Sequence, residues 1–472
     1  MLPPEFECIA KLLLTRFSQW MSEDEDAVQL ANLQVAEEQV GGFVRETGRA
    51  MLQIFLDVRR EQAKAARARC GCGLPREVHR SPSWPRKTLL GTVTVVDIYA
   101  YCRICGSSDR PLHEWLGTDQ ETWSLAVQEA AVDLAADESC EKAVGKLGRH
   151  HPGVEMGRTT ALRLLHEHGQ QAREFINEKL AAAAEMAGPE SGQRGVPEME
   201  VEFDGGMIPV ATLVPIESKE GQEVERTPVR GLPKRRKGCR WEEVKAGLVQ
   251  LPGETTRLYS LRPTTELDAA FDDLYALACL KGLTETTEVR GIADGARHIR
   301  PRMEEAFNAN SFRFILDRPH CKEHLSEAGQ ALEPVTGIPA QQWAANALDA
   351  LENGRASEVV SELREGYTKT KDDVLRCEAN YFERNADAVL YAEFRERGWS
   401  TASSEIESGH RNVVQSRLKI SGAWWHPEHV DDILALRVLK ANGWWGEYWA
   451  HQRQRWSNRA ADFARPRLAR AA

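Results

Sequence analysis

The stretch that most limits the possible folds lies in the middle of the chain. A Gly/Pro/polar linker, Ala187-Gly188-Pro189-Glu190-Ser191-Gly192-Gln193-Arg194-Gly195, marks a boundary. Beyond it the residue pattern changes from helical spacing to strand-like runs. Met199–Phe203, Ile208–Val214, Arg240–Leu251 and Thr256–Leu261 read as successive strands, enriched in β-branched and aromatic residues. A helix follows over Leu267–Leu280. Two further strands, Glu288–Ala293 and Phe312–Leu316, flank a helix around Ile299–Phe307. Antiparallel-type strands, a helix, then strand-helix-strand require an α/β layer with one sheet at its centre.

That order is the order of an RNase H-like core. It predicts a first part of the core over 198–330, a helical insertion over 331–395 and a last part over 396–450. Cys321–Asn385 reads as helical throughout. Upstream, apolar residues recur at helical intervals from Val35 to Val58, which makes 1–69 a helical region suited to packing or dimerisation. With 472 residues in all, the chain is expected to divide into three or more units. The longest apolar runs, such as Leu274–Leu280, are far too short for a membrane span, and no secretory signal is visible at the start, so an intracellular, cytoplasmic protein is expected.

A net charge of −10 argues against nucleic-acid binding by the whole surface and restricts such contact to local clusters. One cluster is Lys234-Arg235-Arg236-Lys237. Another is the basic tail, 451–472, which carries six arginines from Arg453 to Arg470. A third lies within 119–186. Ser139 is placed to cap a helix beginning at Cys140, Gly148 to Gly153 supplies a turn, and Arg158-Thr159-Thr160-Ala161-Leu162-Arg163 starts a second helix. This spacing fits a helix-turn-helix-like segment in which Arg158, Thr159 and Arg163 reach DNA, and it fits an ordinary helical hairpin equally well.

Four of the ten cysteines fall in pairs, Cys70-Gly71-Cys72-Gly73 and Cys102-Arg103-Ile104-Cys105-Gly106, joined by the strand-like Thr88–Tyr101. Thiolate pairs followed by glycine and linked through β structure predict a zinc ribbon over 70–118, with structural Zn2+. The first pair is one residue shorter than the usual knuckle, so His79 or His113 stands as an alternative to one of the sulfurs.

Two aspartates sit where strands are expected to end, Asp204 before Gly205-Gly206 and Asp294 before Gly295. Glycine permits a tight turn that leaves each carboxylate open, and clustered carboxylates favour a bridging cation such as magnesium. Glu202 shares a strand face with Asp204 and is a rival ligand. Near the end, Ser403-Ser404-Glu405-Ile406-Glu407 opens a helix. Glu407 shares its stripe with Arg411, Val414 and Leu418, whereas Glu405 sits with Gly409, Asn412 and Ser416 on a side that reads as solvent.

The downstream blocks are more specific. Ser403-Ser404-Glu405-Ile406-Glu407, Arg417-Leu418-Lys419-Ile420-Ser421-Gly422-Ala423-Trp424-Trp425, Ile433-Leu434-Ala435-Leu436-Arg437 and Trp444-Trp445-Gly446-Glu447-Tyr448-Trp449 follow one another. Together with Asp317-Arg318-Pro319-His320 and the cysteine pairs, this segment resembles bacterial insertion-sequence transposases of the Kra type, relatives of the Mutator-like group. The family has Gly-Ser-Gly where this chain has Ala402-Ser403-Ser404. The resemblance implies a DDE transposase with Asp204, Asp294 and Glu407 as catalytic ligands of two Mg2+ ions, with Mn2+ as substitute. It implies supporting roles for His320 and Asp317. Its partners would be double-stranded DNA, at transposon ends and target, and further copies of the chain in a homodimer or higher oligomer. Arg411, Arg417 and Lys419 join the candidate DNA contacts. Two other readings use the same residues: a domesticated transposase serving as a non-catalytic DNA-binding regulator, and a stand-alone RNase H-like nuclease.

Overall fold

A computed structural model describes residues 32–66, 69–110, 122–186, 195–215 and 235–464, with a few isolated positions besides. The chain forms two compact units, one of Met1–Leu165 with Gly446–Ala472 and one of His166–Trp445.

The first unit opens with a long helix, α1 (Leu33–Ala66). Small strands follow: β1 (Glu77–Arg80), β2 (Ser83–Thr88), β3 (Gly91–Val96), β4 (Tyr99–Tyr101) and β5 (Ser108–Asp109). β2 and β3 form a hairpin, and β1, β4 and β5 a separate three-stranded sheet. The alternation in Gly-Thr-Val-Thr-Val-Val turns Val93 and Val95 inward, where they pack with Leu56 of α1 and Leu112. Gln53 extends the join, its amide donating to the Thr94 carbonyl and its oxygen accepting from the Thr94 N–H. Val40, Val44, Met51 and Phe55 of α1 remain exposed.

Three helices come next: α2 (Leu125–Asp137), α3 (Cys140–His150) and α4 (Arg158–Met186). Ser124 and Ser139 cap α2 and α3 through side-chain bonds to Val127 N and Lys142 N, as expected of Ser139 from the sequence. The turn between α3 and α4 contains Gly153 at φ 91°, a conformation that favours glycine.

The second unit is mixed α/β around one five-stranded sheet. Its strands are β6 (Glu198–Pro215), β7 (Arg235–Gln250), β8 (Arg257–Pro263), β9 (Glu288–Ala293) and β10 (Ser311–Leu316), in the order β10-β9-β6-β7-β8. β6, β7 and β8 pair antiparallel, whereas β9 runs parallel to β6 and to β10. The helices α5 (Leu267–Leu280) and α6 (Ile299–Ala306) make the connections between β8, β9 and β10. One face of β6 carries the buried Met199, Val201 and Phe203, and Phe203 stacks on Phe271 of α5 at 4.3 Å. The opposite face carries Glu200, Glu202 and Asp204.

Five helices separate β10 from the last part of the unit: α7 (Arg318–Thr336), α8 (Ala340–Glu352), α9 (Ala356–Thr370), α10 (Asp373–Arg384) and α11 (Tyr391–Glu396). α12 (Ser404–Gly409) then runs into a π-helical stretch, His410–Gln415, and a final turn, Ser416–Leu418. α13 (Pro427–Ala441) and α14 (Trp445–Ala464) complete the described chain.

One strand expectation needs correction. The segments expected at Met199–Phe203 and Ile208–Val214 are a single strand, because Gly205 and Gly206 stay extended and keep pairing with Lys245 and Val244. Asp204 therefore lies mid-strand. What ends beside it is the parallel ladder with β9, whose last pair is Phe203 with Ala293.

Candidate functional site

Asp204 is the next residue of β6 beyond that pair, and Asp294 the next residue beyond β9. Neighbouring strands lie about 4.8 Å apart, so the two backbones bring both carboxylates to one end of the parallel ladder. Burial pushes the Asp204 carboxyl above its ordinary value, and the Asp294 charge adds to that rise. Asp294 shapes its own turn, its Oδ1 accepting the Ala296 N–H at 2.9 Å. The following Gly295 has no room for a side chain, since a Cβ there would lie 2.4 Å from the Tyr381 ring.

Asp317 and His320 stand against this pair. Asp317 is fully buried and caps α7, with Oδ2 accepting from the backbone N–H of His320 at 3.1 Å. The same oxygen meets His320 Nδ1 at 2.6 Å, and Oδ1 accepts from Ser403 N at 2.7 Å. These bonds hold the Asp317 carboxyl below the ordinary range. They also raise His320 to about 9, chiefly through Asp317, with Asp204 and Asp294 reinforcing it. His320 is thus a cation poised by three carboxylates.

Asp317 does a second job. By binding Ser403 it fixes the entry to α12, which settles on the polar face of β6. Ile406 packs on Ala246 and Leu248, with Tyr259 and Leu261 at the edge. Its N–H donates to Glu202 Oε2 at 2.6 Å. Gly409 is required by contact with Tyr259, whose ring carbon would lie 2.6 Å from a Cβ. Asn442, at the end of α13, clamps Tyr259 by bonds to its N–H and carbonyl.

Glu202, the rival ligand, is fully buried, and burial pushes its carboxyl up to about 8. Its geometry makes it a brace for α12. Glu407 is exposed on the flank of α12 between Ser403 and His410, one turn away from each. Glu405 departs from expectation: its side is not simply solvent, because the carboxylate pairs with Arg257 of β8 at 2.7 Å and is two-thirds buried.

Sequence reasoning missed His410. It is buried, with Nε2 3.6 Å from Asp204 Oδ2, and burial lowers its pKa. A Cβ on Gly206 would lie 2.4 Å from His410 Nδ1, so that glycine serves close approach and not a turn. His410 begins the π-helical stretch, whose looser winding leaves carbonyls to be satisfied from outside. Arg437 supplies that, donating to the carbonyls of Val413 and Asn412.

The candidate DNA contacts divide. Arg158, Thr159 and Arg163 are exposed on the first turns of α4. Arg411 is exposed, and Lys419 is exposed with its ammonium 5.7 Å from the Trp241 ring. Arg417 must be withdrawn from the DNA-contacting set: it is 2% exposed and stacks on Trp425 at 4.5 Å, holding the loop that follows the helix. Lys234 lies outside the described residues. Arg235, Arg236 and Lys237 open β7, and only their backbone is described. In the tail, Arg453 pairs with Glu129 at 3.2 Å, so part of that basic run is structural.

A second cluster lies in the first unit. The sulfurs of Cys70, Cys72, Cys102 and Cys105 fall within 4.8 Å of one another, with Cys70–Cys105 at 3.3 Å and Cys72–Cys102 at 3.7 Å. Tetrahedral ligation at about 2.3 Å sets sulfurs roughly 3.8 Å apart, so the four could hold a metal such as zinc. Each pair sits in a tight turn with glycine at positive φ, Gly73 and Gly106. Ser107 Oγ lies 3.1 Å from Cys70 Sγ, and hydrogen bonds lower Cys70 to about 5. The thiolate is the form that binds metal; the crowding thiols push Cys72 the opposite way, up to about 11, so the convergence of the four sulfurs carries the assignment. All four sulfurs converge, so neither histidine is needed; His113 and the His79 side chain lie outside the described residues.

No protein-family model matches this chain, and none of the curated proteins matches it.

Proposed function

We propose that the chain is a DNA transposase of the Asp-Asp-Glu class, built on an RNase H-like core, with a structural zinc ribbon and a helix-turn-helix segment. The observation that carries the reading is the placement of Asp204 and Asp294 at the same level of adjacent parallel strands, beside the helix that bears Glu407. The strand order β10-β9-β6-β7-β8 supports the core assignment, with three antiparallel strands followed by two parallel ones.

In this reading Asp204, Asp294 and Glu407 hold two magnesium ions, with manganese as substitute. The donor set suits them, being hard oxygen ligands, and burial with the nearby Asp294 charge raises the Asp204 carboxyl, a cost that a cation between the two would relieve. When bound, such ions activate water and stabilise the departing 3′ oxygen. The protein's own groups do the rest. His320, protonated at neutral pH, offers a positive N–H donor to a phosphate beside the two aspartates. Asp317 fixes the ring of His320 and the start of α12 together. His410, neutral and buried, packs behind Asp204 and limits its movement. Arg158, Thr159 and Arg163, exposed on the first turns of α4, would serve as recognition-helix contacts to DNA, and within the other unit Arg411 and Lys419 are exposed basic groups near α12. Among the described residues no helix is long and apolar enough to cross a membrane.

The test is a plasmid carrying the DNA that flanks this reading frame, incubated with protein and Mg2+. Cleavage at the boundaries and joining of the 3′ ends to target DNA, both lost in Asp204→Asn and Asp294→Asn, is the expected result. Cleavage without joining would support a stand-alone nuclease. DNA binding with neither reaction in Mg2+ or Mn2+ would support a regulator.

A further inference from the structure

We propose a second metal site in the unit His166–Trp445, formed by His166, His429 and Asp432 and suited to a zinc-class divalent ion. It is separate from the four cysteines and from the carboxylates on the sheet, and it stands whether or not the chain is a transposase.

The site arises where α4 and α13 touch. Gly169 allows the contact, for a Cβ there would lie 2.4 Å from the Cβ of Asp432. One turn before Gly169, His166 is brought against the same carboxylate. Asp432 is 0% exposed, and its Oδ2 lies 3.3 Å from His166 Nδ1. Yet neither ring nitrogen of His166 and neither oxygen of Asp432 makes a hydrogen bond. Leaving buried polar atoms unbonded costs about 1–3 kcal/mol for each group, so such a cluster calls for an occupant. Arg173 accounts for only part of the charge. Its guanidinium stands 3.3 Å from Asp432 Oδ1 and is shared with Asp431 at 3.6 Å, leaving Oδ2 turned toward the imidazole.

His429 completes the set. Its ring stacks on His166 with centroids 3.5 Å apart, and one ligand atom from each of the three residues lies within 4.8 Å of the others. Ligation at about 2.1 Å in a tetrahedral array separates ligand atoms by roughly 3.4 Å. The His166–Asp432 pair already meets that spacing, and the third ligand, within 4.8 Å of the others, needs a shift of about 1.4 Å at most. Two imidazoles and one carboxylate select zinc-like ions over magnesium, which prefers oxygen alone. The fourth position falls to water or to His426, whose ring lies 5.3 Å from that of His429. Bound there, the ion would staple α4 to α13.

Metal content of the full chain tests this. Protein saturated with zinc and then desalted into metal-free buffer should retain about two equivalents, one in the cysteine cluster and one here. His429→Ala, at a partly exposed position, should remove one equivalent while circular dichroism stays unchanged. Cys102→Ser with Cys105→Ser should remove the other. Cobalt bound to the cysteine variant should show only weak visible bands, without the intense sulfur-to-metal absorption. The proposal is overturned by a single equivalent that vanishes with the cysteines. It is equally overturned if His429→Ala and His166→Gln both keep the second equivalent, or if Asp204→Asn is the variant that loses it.

Discussion

Asp317→Asn should uncouple two parts of the sheet-side site at once. The carboxylate accepts three bonds, from Ser403 N, His320 N and His320 Nδ1. An amide keeps one accepting oxygen and turns an NH2 group toward a donor. The His320 share can be sized from its pKa. A rise from 6.5 to about 9 corresponds to about 3 kcal/mol at ~1.36 kcal/mol per unit. A third of the ring is open to solvent, which reduces that to about 1–2 kcal/mol. One backbone N–H left without an acceptor adds about 1–3 kcal/mol. The expected loss near pH 6 is therefore about 2–5 kcal/mol, read by urea unfolding of metal-free protein. The sign with pH follows. His320 has a raised folded pKa, so its contribution is full below about pH 6.5 and is lost as pH rises through about 9. Asp317 has a lowered folded pKa, so its contribution is present above about pH 4 and is lost as pH falls further. The gap between wild type and Asp317→Asn should be widest between about pH 5 and 6.5 and narrower at pH 10. A gap below about 0.5 kcal/mol, the same gap at pH 6 and 10, or a wild-type His320 resonance titrating near 6.5 would refute the reasoning.

Glu407→Gln should abolish cleavage and joining with folding intact, whereas Glu405→Gln should cost at most about 1 kcal/mol, the worth of its partly exposed pair with Arg257; retained joining in Glu407→Gln would remove that residue from the site. Gly206→Ala should destabilise by about 1–3 kcal/mol, because the new methyl meets His410, and thermal unfolding against Gly71→Ala, where the space is open, gives the comparison. DNA affinity should fall in Arg158→Ala with Arg163→Ala and show a shallower dependence on salt, as fewer counterions are released; identical salt slopes would return these residues to plain surface. Truncation after Ala464 is the fair test of the basic tail, since α14 itself extends that far and buries Gln452.

Where one local rule dominated, the sequence was readable. Leu267–Leu280 and Glu288–Ala293 have the bounds that apolar patterning predicts, and Ser139 caps α3 as its side chain allows. The four cysteines converge although their first spacing is unusual. Legibility failed where the decisive partner is distant in sequence. Gly205-Gly206 read as a turn, because nothing nearby tells that β7 pairs straight across them or that His410 lies over Gly206. Arg417 read as a free cation, yet its partner is the Trp425 ring after an intervening turn. Glu405 looked solvent-facing until Arg257 of β8 appeared beside it. The π-helical stretch has no spacing signature, since it is fixed by Arg437 binding its carbonyls.

The first unit is built from two segments far apart in the sequence, with Gly446–Ala472 joining Met1–Leu165. A ribosome making this protein therefore releases the cysteine cluster, α2 and α3 early but withholds their remaining segment until the whole intervening unit has emerged. Contacts across so long an interval form late and slowly. A premature stop before Trp449, or a nick that frees the last helix, would damage a domain whose sequence lies almost wholly upstream of the lesion. Completion of the last helix thus becomes a condition for the folding of the unit that holds the four cysteines.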